Sequence, residues 1–409
     1  MTGESEVEIR EIVNYTLSGG GLFSLINTTQ LRLKLSFEDR NEIKRLLDLA
    51  ISNETTYISI TPYLIHDTAS NAIQPINISD ALQVTNFTTD SVPPRVMSFD
   101  LDMDGPTLTL YLTETVDVTS LNVSAILIQS SDSFYDGEVE YHTLTPGLPP
   151  LGTSSRSENS HIITIDIGKV DANRIKFLTG LAQDANSTYI SLTQDALKDT
   201  TGNDIVEIPD TNASQVDRYY ADMTGPVLRN FSLNLTSELL TLVFDETVDF
   251  LSLRAMLVTL NSSSTDSQSY RFQSVVPIGL NSHILVLNLT ATQYDLNRIK
   301  LLSQLAIDRD STYILLYNGA ISDLALKPNY IMDSPLTQAD DFFSDTISPD
   351  IIAFNANLNV GTVTLVFDEV VNSSSLDPTA LRLQNTVMGP DLITNLQVAQ
   401  HRVTMVSLL

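Results

Sequence analysis

The chain repeats itself, and this restricts its fold before any single residue is interpreted. Asp90, Asp222 and Asp345 each stand four residues before a proline, Pro94, Pro226 and Pro349. Five residues after each proline comes Phe99, Phe231 or Phe354, and twenty after it Glu114, Glu246 or Glu369. From each phenylalanine the stretches align without a gap: FDLDMDGPTLTLYLTETVD, FSLNLTSELLTLVFDETVD and FNANLNVGTVTLVFDEVVN. A second set of matches begins DRNEIKRLLDLA at Asp39, DANRIKFLTGLA at Asp171 and DLNRIKLLSQLA at Asp295. Each is followed by a tyrosine (Tyr57, Tyr189, Tyr313), an aspartate in a turn-like stretch (Asp67, Asp199, Asp323) and a glutamine (Gln83, Gln215, Gln338). The period is 132 residues and then 123. Residues 94–225 and 226–348 therefore read as complete units, 1–93 as the C-terminal part of a unit and 349–409 as an N-terminal part. The expectation is that these 409 residues are a window on a longer array.

Within a unit the main signal is alternation with period two. Leu108, Leu110 and Leu112 put three apolar side chains on one face of a strand, and Leu240, Leu242 and Phe244 repeat the pattern. About seven short strands per unit predict an all-β fold of tandem immunoglobulin-like β-sandwiches. One short helix is expected between the fifth and sixth strands. Ser36, Gly168 and Thr292 stand at the cap position three residues before Asp39, Asp171 and Asp295.

Composition excludes more than it assigns. Fifty acidic residues against 22 basic ones give a net charge of -28, which repels nucleic acid and anionic membrane and attracts cations. With no cysteine there is no disulfide, thiolate metal site or cysteine nucleophile. No apolar run is long enough to span a bilayer, and the acidic N-terminus, MTGESEVEIREIV, lacks a signal-peptide core. No nucleophile–base or carboxylate pair stands out and tryptophan is absent, so the chain reads as a non-enzyme.

The segments LTLVFDETVD and KDTTGN resemble bacterial-type immunoglobulin-like repeats, with their F-x-E-x-V strand end and D-x-x-G-N turn. The layout is also similar to cadherin-like junctions and to tandem repeats of large surface proteins. The resemblance implies an extracellular structural or adhesive protein and supplies no catalytic residues. LALKPN after Asp323 departs from the turn pattern.

The recurring acids are the candidate site. In an immunoglobulin sandwich the entering linker, the loop after the second strand and the loop after the sixth strand share one pole. Asp90, Glu114, Asp117 and Asp199 occupy those places in one unit, Asp222, Glu246, Asp249 and Asp323 in the next, and Asp345 and Glu369 in the third. Gathered carboxylates suit a hard cation with oxygen ligands, so Ca2+ is the expected cofactor. DLDMDG at 100–105 fails as a calcium loop because Tyr111 stands where a bidentate glutamate belongs. Thirteen N-x-S/T sequons, above compositional chance, point to a glycoprotein, with Asn53, Asn122, Asn186, Asn230, Asn261 and Asn372 as candidate acceptors. His161, His283 and His401 recur at one strand start and read as packed or edge residues. Tyr57, Tyr189 and Tyr313 read as core tyrosines that bond the backbone.

The expected function is a stalk, fibre, filament or adhesive surface layer at the cell surface, built of repeats joined head to tail to further repeats or to copies of the chain. The alternative is an ectodomain that recognises a glycan or protein through pole loops. The divergent 145–160 segment keeps the alternative open.

Overall fold

The computed structural model describes residues 12–384 and 386, apart from 136, 266–267 and 290–293. The chain forms two compact units, 1–346 and 347–409. No helix among the described residues is long and apolar enough to cross a membrane.

The alternating pattern produces the expected strands, and unit 1–346 contains two sandwiches of the same strand order. In one, Thr107–Asp117 lies between Val96–Asp102 and Ser160–Asp166, with Ser154–Ser155 and Arg218–Tyr220 at the edges and Lys198–Asp199 added at one end. The facing sheet runs Ser214–Gln215, Tyr189–Leu192, Ile126–Gln129, Tyr141–Thr143. The seventh strand is divided. Its first part pairs in the smaller sheet, and Arg218–Tyr220 crosses over to run parallel to the first strand. This is the immunoglobulin arrangement. Residues 228–343 repeat it, with Asp341–Phe343 parallel to Leu228–Asn234.

Leucines and isoleucines of alternating parity fill the space between the sheets. Phe99, Leu108, Leu110, Ile128, Ile163, Ile165 and Ile190 are fully buried in one core, and Phe231, Leu240, Leu242, Leu260, Leu287 and Ile314 serve the other. Tyr189 and Tyr313 are not core residues, because Ile190, Leu192, Ile314 and Leu316 take the inward positions of their strands. Tyr57 is largely exposed. A tyrosine that does bond the backbone is Tyr219, whose hydroxyl donates to Ala182 O at 2.6 Å.

The helices fall where expected: α1 at Phe37–Arg45, α2 at Lys169–Phe177 and α3 at Tyr294–Lys300. Ser36 caps α1 by accepting from the Asp39 amide at 3.0 Å, and Gly168 caps α2 without a side-chain bond. Thr292 lies outside the described residues. Asp39, Asp171 and Asp295 do more than favour a helix end. All three are buried, and each binds the segment facing its helix. Asp295 accepts from the Gln273 and Ser274 amides at 2.9 and 2.8 Å. Asp171 accepts from the Thr145 amide at 2.8 Å and contacts His142 Nε2 at 2.8 Å. The Ser18 amide, reinforced by the Tyr15 hydroxyl and Ser36, holds the Asp39 carboxyl down at about 2 against its burial.

Residues 12–87 carry a hairpin, Leu22–Asn27 with Gln30–Lys34, then α1 and a short pair, Tyr57–Ile58 with Leu82–Gln83. Unit 347–409 carries the hairpin Ile351–Asn357 with Thr362–Phe367. The apolar side chains of both hairpins are largely exposed.

Candidate functional site

Strand Thr107–Asp117 alternates buried and half-buried residues until its end, where Glu114, Thr115 and Val116 are all buried. Strand Leu239–Asp249 does the same at Glu246, Thr247 and Val248. What covers these strand ends is the helix of the preceding repeat. Asn41 of α1 accepts from the Thr115 amide at 2.7 Å through Oδ1, and the Thr115 hydroxyl donates to the Asn41 carbonyl at 2.9 Å. One turn further along α1, the Lys44 ammonium bonds both Asp90 and Glu114. The contact recurs at α2. The Thr247 hydroxyl donates to the Asn173 carbonyl at 3.0 Å, and Lys176 reaches Asp222 at 2.7 Å and also bonds Glu246. Lys300 of α3 is 2.7 Å from Asp345.

A third carboxylate completes each cluster. Oxygens of Asp90, Glu114 and Asp199 lie within 4.8 Å of one another, as do those of Asp222, Glu246 and Asp323. Asp199 is held by its turn, accepting from the Thr201 and Asn203 amides at 2.9 and 2.8 Å and from Asn203 Nδ2 at 2.7 Å. Asp323 does likewise with the Ala325 and Asn329 amides at 3.1 and 2.9 Å. LALKPN therefore lengthens the turn without breaking it: Asn329 takes the place of Asn203. Asn329 Nδ2 also donates to the linker carbonyl of Asp222 at 3.0 Å, tying the turn to the linker.

These clusters could hold a metal by geometry, but each already has a lysine ammonium on two of its three acids. Each cluster sets three carboxylates, all buried in the second and two of the three buried in the first, against one ammonium. This leaves an excess of negative charge, and protonation relieves it. Burial pushes Glu246 up to about 8; Lys176 pulls the other way, and Asp222 and Asp323 add to the rise. Burial likewise raises Glu114, opposed by Lys44. Against its own burial, the bonds from Lys44 and the Val92 amide hold Asp90 below the usual carboxylate range. Both lysines stay above their ordinary value: burial opposes the charge, but the acids around them outweigh it.

Two further expected ligands lie elsewhere. Asp117 and Asp249 do not join the clusters; they cap 3-10 turns, accepting from the Thr119 and Leu251 amides at 2.9 and 3.0 Å. Glu369 is half-buried in unit 347–409. In DLDMDG, Asp102 closes a hairpin turn by accepting from the Asp104 and Gly105 amides at 2.8 and 3.1 Å. His161 packs edge-on against Phe37 of α1, ring centroids 5.0 Å apart, and His401 lies outside the described residues.

Of the sequons, Asn53, Asn122, Asn186 and Asn372 are exposed and Asn230 is half-buried in a strand. Asn261 differs from the exposed ones: it is buried at the end of Val258–Asn261, a strand paired with both neighbouring strands. The divergent loop at 145–160 covers the start of α2, where the Lys169 and Val170 amides donate to Pro150 and Leu151 carbonyls at 2.9 and 3.2 Å.

The lysines are the cluster residues that the sequence reading passed over. Their signal is present, since isoleucine–lysine recurs in all three helices of a chain poor in basic residues.

No protein-family model matches the chain, and no curated protein matches it. Among solved structures, a marsupial T cell receptor aligns at 7% identity over 63% of this chain and 75% of its own, with a TM-score of 0.13. A likeness that low carries no argument, and the fold description above rests on the strand order.

Proposed function

We propose that this chain is a segment of a structural or adhesive array outside the cell, in which each sandwich is locked to the next by a lysine clasp. The observation that carries the reading is the recurrence of one joint, with Asn41 on Thr115 and Lys44 on Asp90 and Glu114, then Asn173 on Thr247 and Lys176 on Asp222 and Glu246. A contact repeated with the sequence period propagates along any number of units, as in other repeat architectures. The resemblance to surface-protein repeats and the exposed sequons at Asn53, Asn122, Asn186 and Asn372 support a location at the cell surface.

Calcium was the ion expected at these acids. In this reading the ammonium does the work assigned to it, pairing with the linker acid and bonding the strand-end glutamate; a divalent ion would have to displace the lysine or sit beside its charge. The test is solution scattering of the chain and of a Lys44→Met, Lys176→Met variant, with and without chelator. Flexible joints in the variant and no response to chelator support the clasp. Joints unchanged by the double substitution would sink it.

A further inference from the structure

The outer face of the larger sheet differs between the two complete sandwiches. In the first, one row across the strands reads Tyr220, Asp102, Thr107, Asp166, Ser154. In the second, the matching row reads Phe343, Asn234, Leu239, Asn288, Val276. Their chain neighbours Leu233, Leu240 and Leu287 are 0% exposed in the core, so alternation puts this row on the opposite face. The register is kept and the chemistry is not: tyrosine, threonine and serine become phenylalanine, leucine and valine. The adjoining row continues the change, with Val286 paired to Ile278 where the first sandwich has Thr164. Phe343 is 52% exposed, Ile278 44% and Val276 42%. The following repeat does not cover this place in the first sandwich, since Tyr220 stays 49% exposed with the second sandwich beside it. A contiguous exposed apolar face of a folded chain marks a surface that something covers, or an aggregation liability.

The two residues that interrupt the apolar row are the ones that can carry a cover. Asn234 and Asn288 each open an N-x-T sequon, NLT in both cases. The first sandwich has Asp102 and Asp166 there and no sequon, so the acceptors and the apolar side chains arrive together. Both asparagines are half-buried on the outer face. Asn234 Oδ1 accepts from the Ser237 amide at 2.8 Å; the turn engages the oxygen, whereas a sugar joins the nitrogen. Leu239 lies between the two asparagines, which puts the attachment points two strand spacings apart, about 10 Å. We infer that Asn234 and Asn288 carry N-linked oligosaccharides that cover the apolar outer face of the second sandwich. Transfer forms a bond from the asparagine Nδ2 to the anomeric carbon of the first sugar. It breaks that carbon's bond to a lipid-linked diphosphate donor, and the diphosphate leaves as the amide gives up one proton. The attached chain is bulky and solubilising, so it does for this face what threonine, serine and tyrosine do for the other.

The inference rests on the cell-surface reading, because the donor and its transferase belong to the secretory route. Glycopeptide mass spectrometry of the full chain secreted from a eukaryotic cell should find sugar on both Asn234 and Asn288. Hydroxyl-radical labelling of the folded glycoprotein should spare Leu239, Val276 and Ile278. Amidase release of the sugars leaves aspartate at both positions, as at Asp102 and Asp166 of the first sandwich, and needs no refolding. The protection of those three residues should then be lost. Ile162, 40% exposed on the outer face of the first sandwich, should label equally before and after release. A bare Asn234 or Asn288, or labelling that release does not change, would overturn the inference. Sugar on Asn53 and Asn186 in the same sample would then leave the cell-surface reading standing, whereas a chain bare at every sequon would remove the support that reading draws from them as well.

Discussion

The two clasps use the same parts at different depths. At the first, the side chains of Lys44 and Asp90 are 24% and 19% exposed; at the second, those of Lys176 and Asp222 are 13% and 6% exposed. The glutamates run slightly the other way, 9% for Glu114 and 12% for Glu246, so the extra cover lies over the lysine and the linker acid. Two features distinguish the second joint: Met103 stands beside it, with no counterpart among residues 12–87, and its turn is longer. Asp199 and Asn203 are four residues apart, Asp323 and Asn329 six, and the added Leu324–Lys327 segment lines one cleft with Ile175, Lys176, Tyr219 and Asp222. With Met103 and the longer turn beside it, the second ion pair lies in the drier setting. With less water nearby, charge is neutralised by a closer partner or by a proton.

The sharpest way to break this comparison is to remove the lysines. Lys176→Met leaves buried acids without their cation and should lower stability by about 3 kcal/mol, near the low end for breaking a buried pair. Lys44→Met, at a wetter joint, should lose about 1 kcal/mol. Denaturant unfolding of both variants decides it, and equal losses would mean that the drier setting does not matter.

The amide contact should rank the joints in the opposite order. Asn41 is buried and accepts from a main-chain N–H, whereas Asn173 is only half-buried. Asn41→Ala should cost about 2 kcal/mol, the penalty of an unsatisfied buried donor, and Asn173→Ala about 1 kcal/mol. Thermal melts of the two variants would reverse the lysine ranking if depth at each contact is what counts.

Protonation gives a third, smaller signal. Glu246 rises from 4.5 to about 8 in the folded chain. Between those values the folded state holds a proton that the unfolded state releases, so this joint's contribution is full below about 4.5 and falls as pH rises towards 8. Glu246→Gln should flatten that decline in melting temperature, and Glu114→Gln should change it less. A profile that Glu246→Gln leaves untouched would place the proton elsewhere. The smallest expected effect is that of calcium: millimolar calcium or chelator should leave melting of both joints unmoved, and a rise with calcium confined to one joint would show that its lysine can be displaced.

Strand order, helix position and the meeting of Asp90 with Glu114 and Asp199 were legible in the sequence, because each follows from periodicity or from loops sharing a pole. The placement of Tyr189 was legible too and was misread: Ile190 and Leu192 alternate at the inward positions and leave the tyrosine outside. The distinction between Asp199 as cluster member and Asp117 as turn cap was not legible, since both are aspartates in turns and only backbone direction separates them. Lys44 was hidden for a different reason. Aligning a repeat with itself shows which positions recur but not which residue of one copy touches the next.

The spacing of the clasp also bears on how the chain is made. Lys44 precedes Glu114 by 70 residues, and Lys176 precedes Glu246 by the same 70. Synthesis runs from the N-terminus and domains fold as they emerge. A repeat therefore leaves the ribosome with its lysine presented and its receiving strand still unmade in the tunnel or beyond. Each joint can close only on the next segment to appear, so the order of translation favours the sequential neighbour over the other repeat.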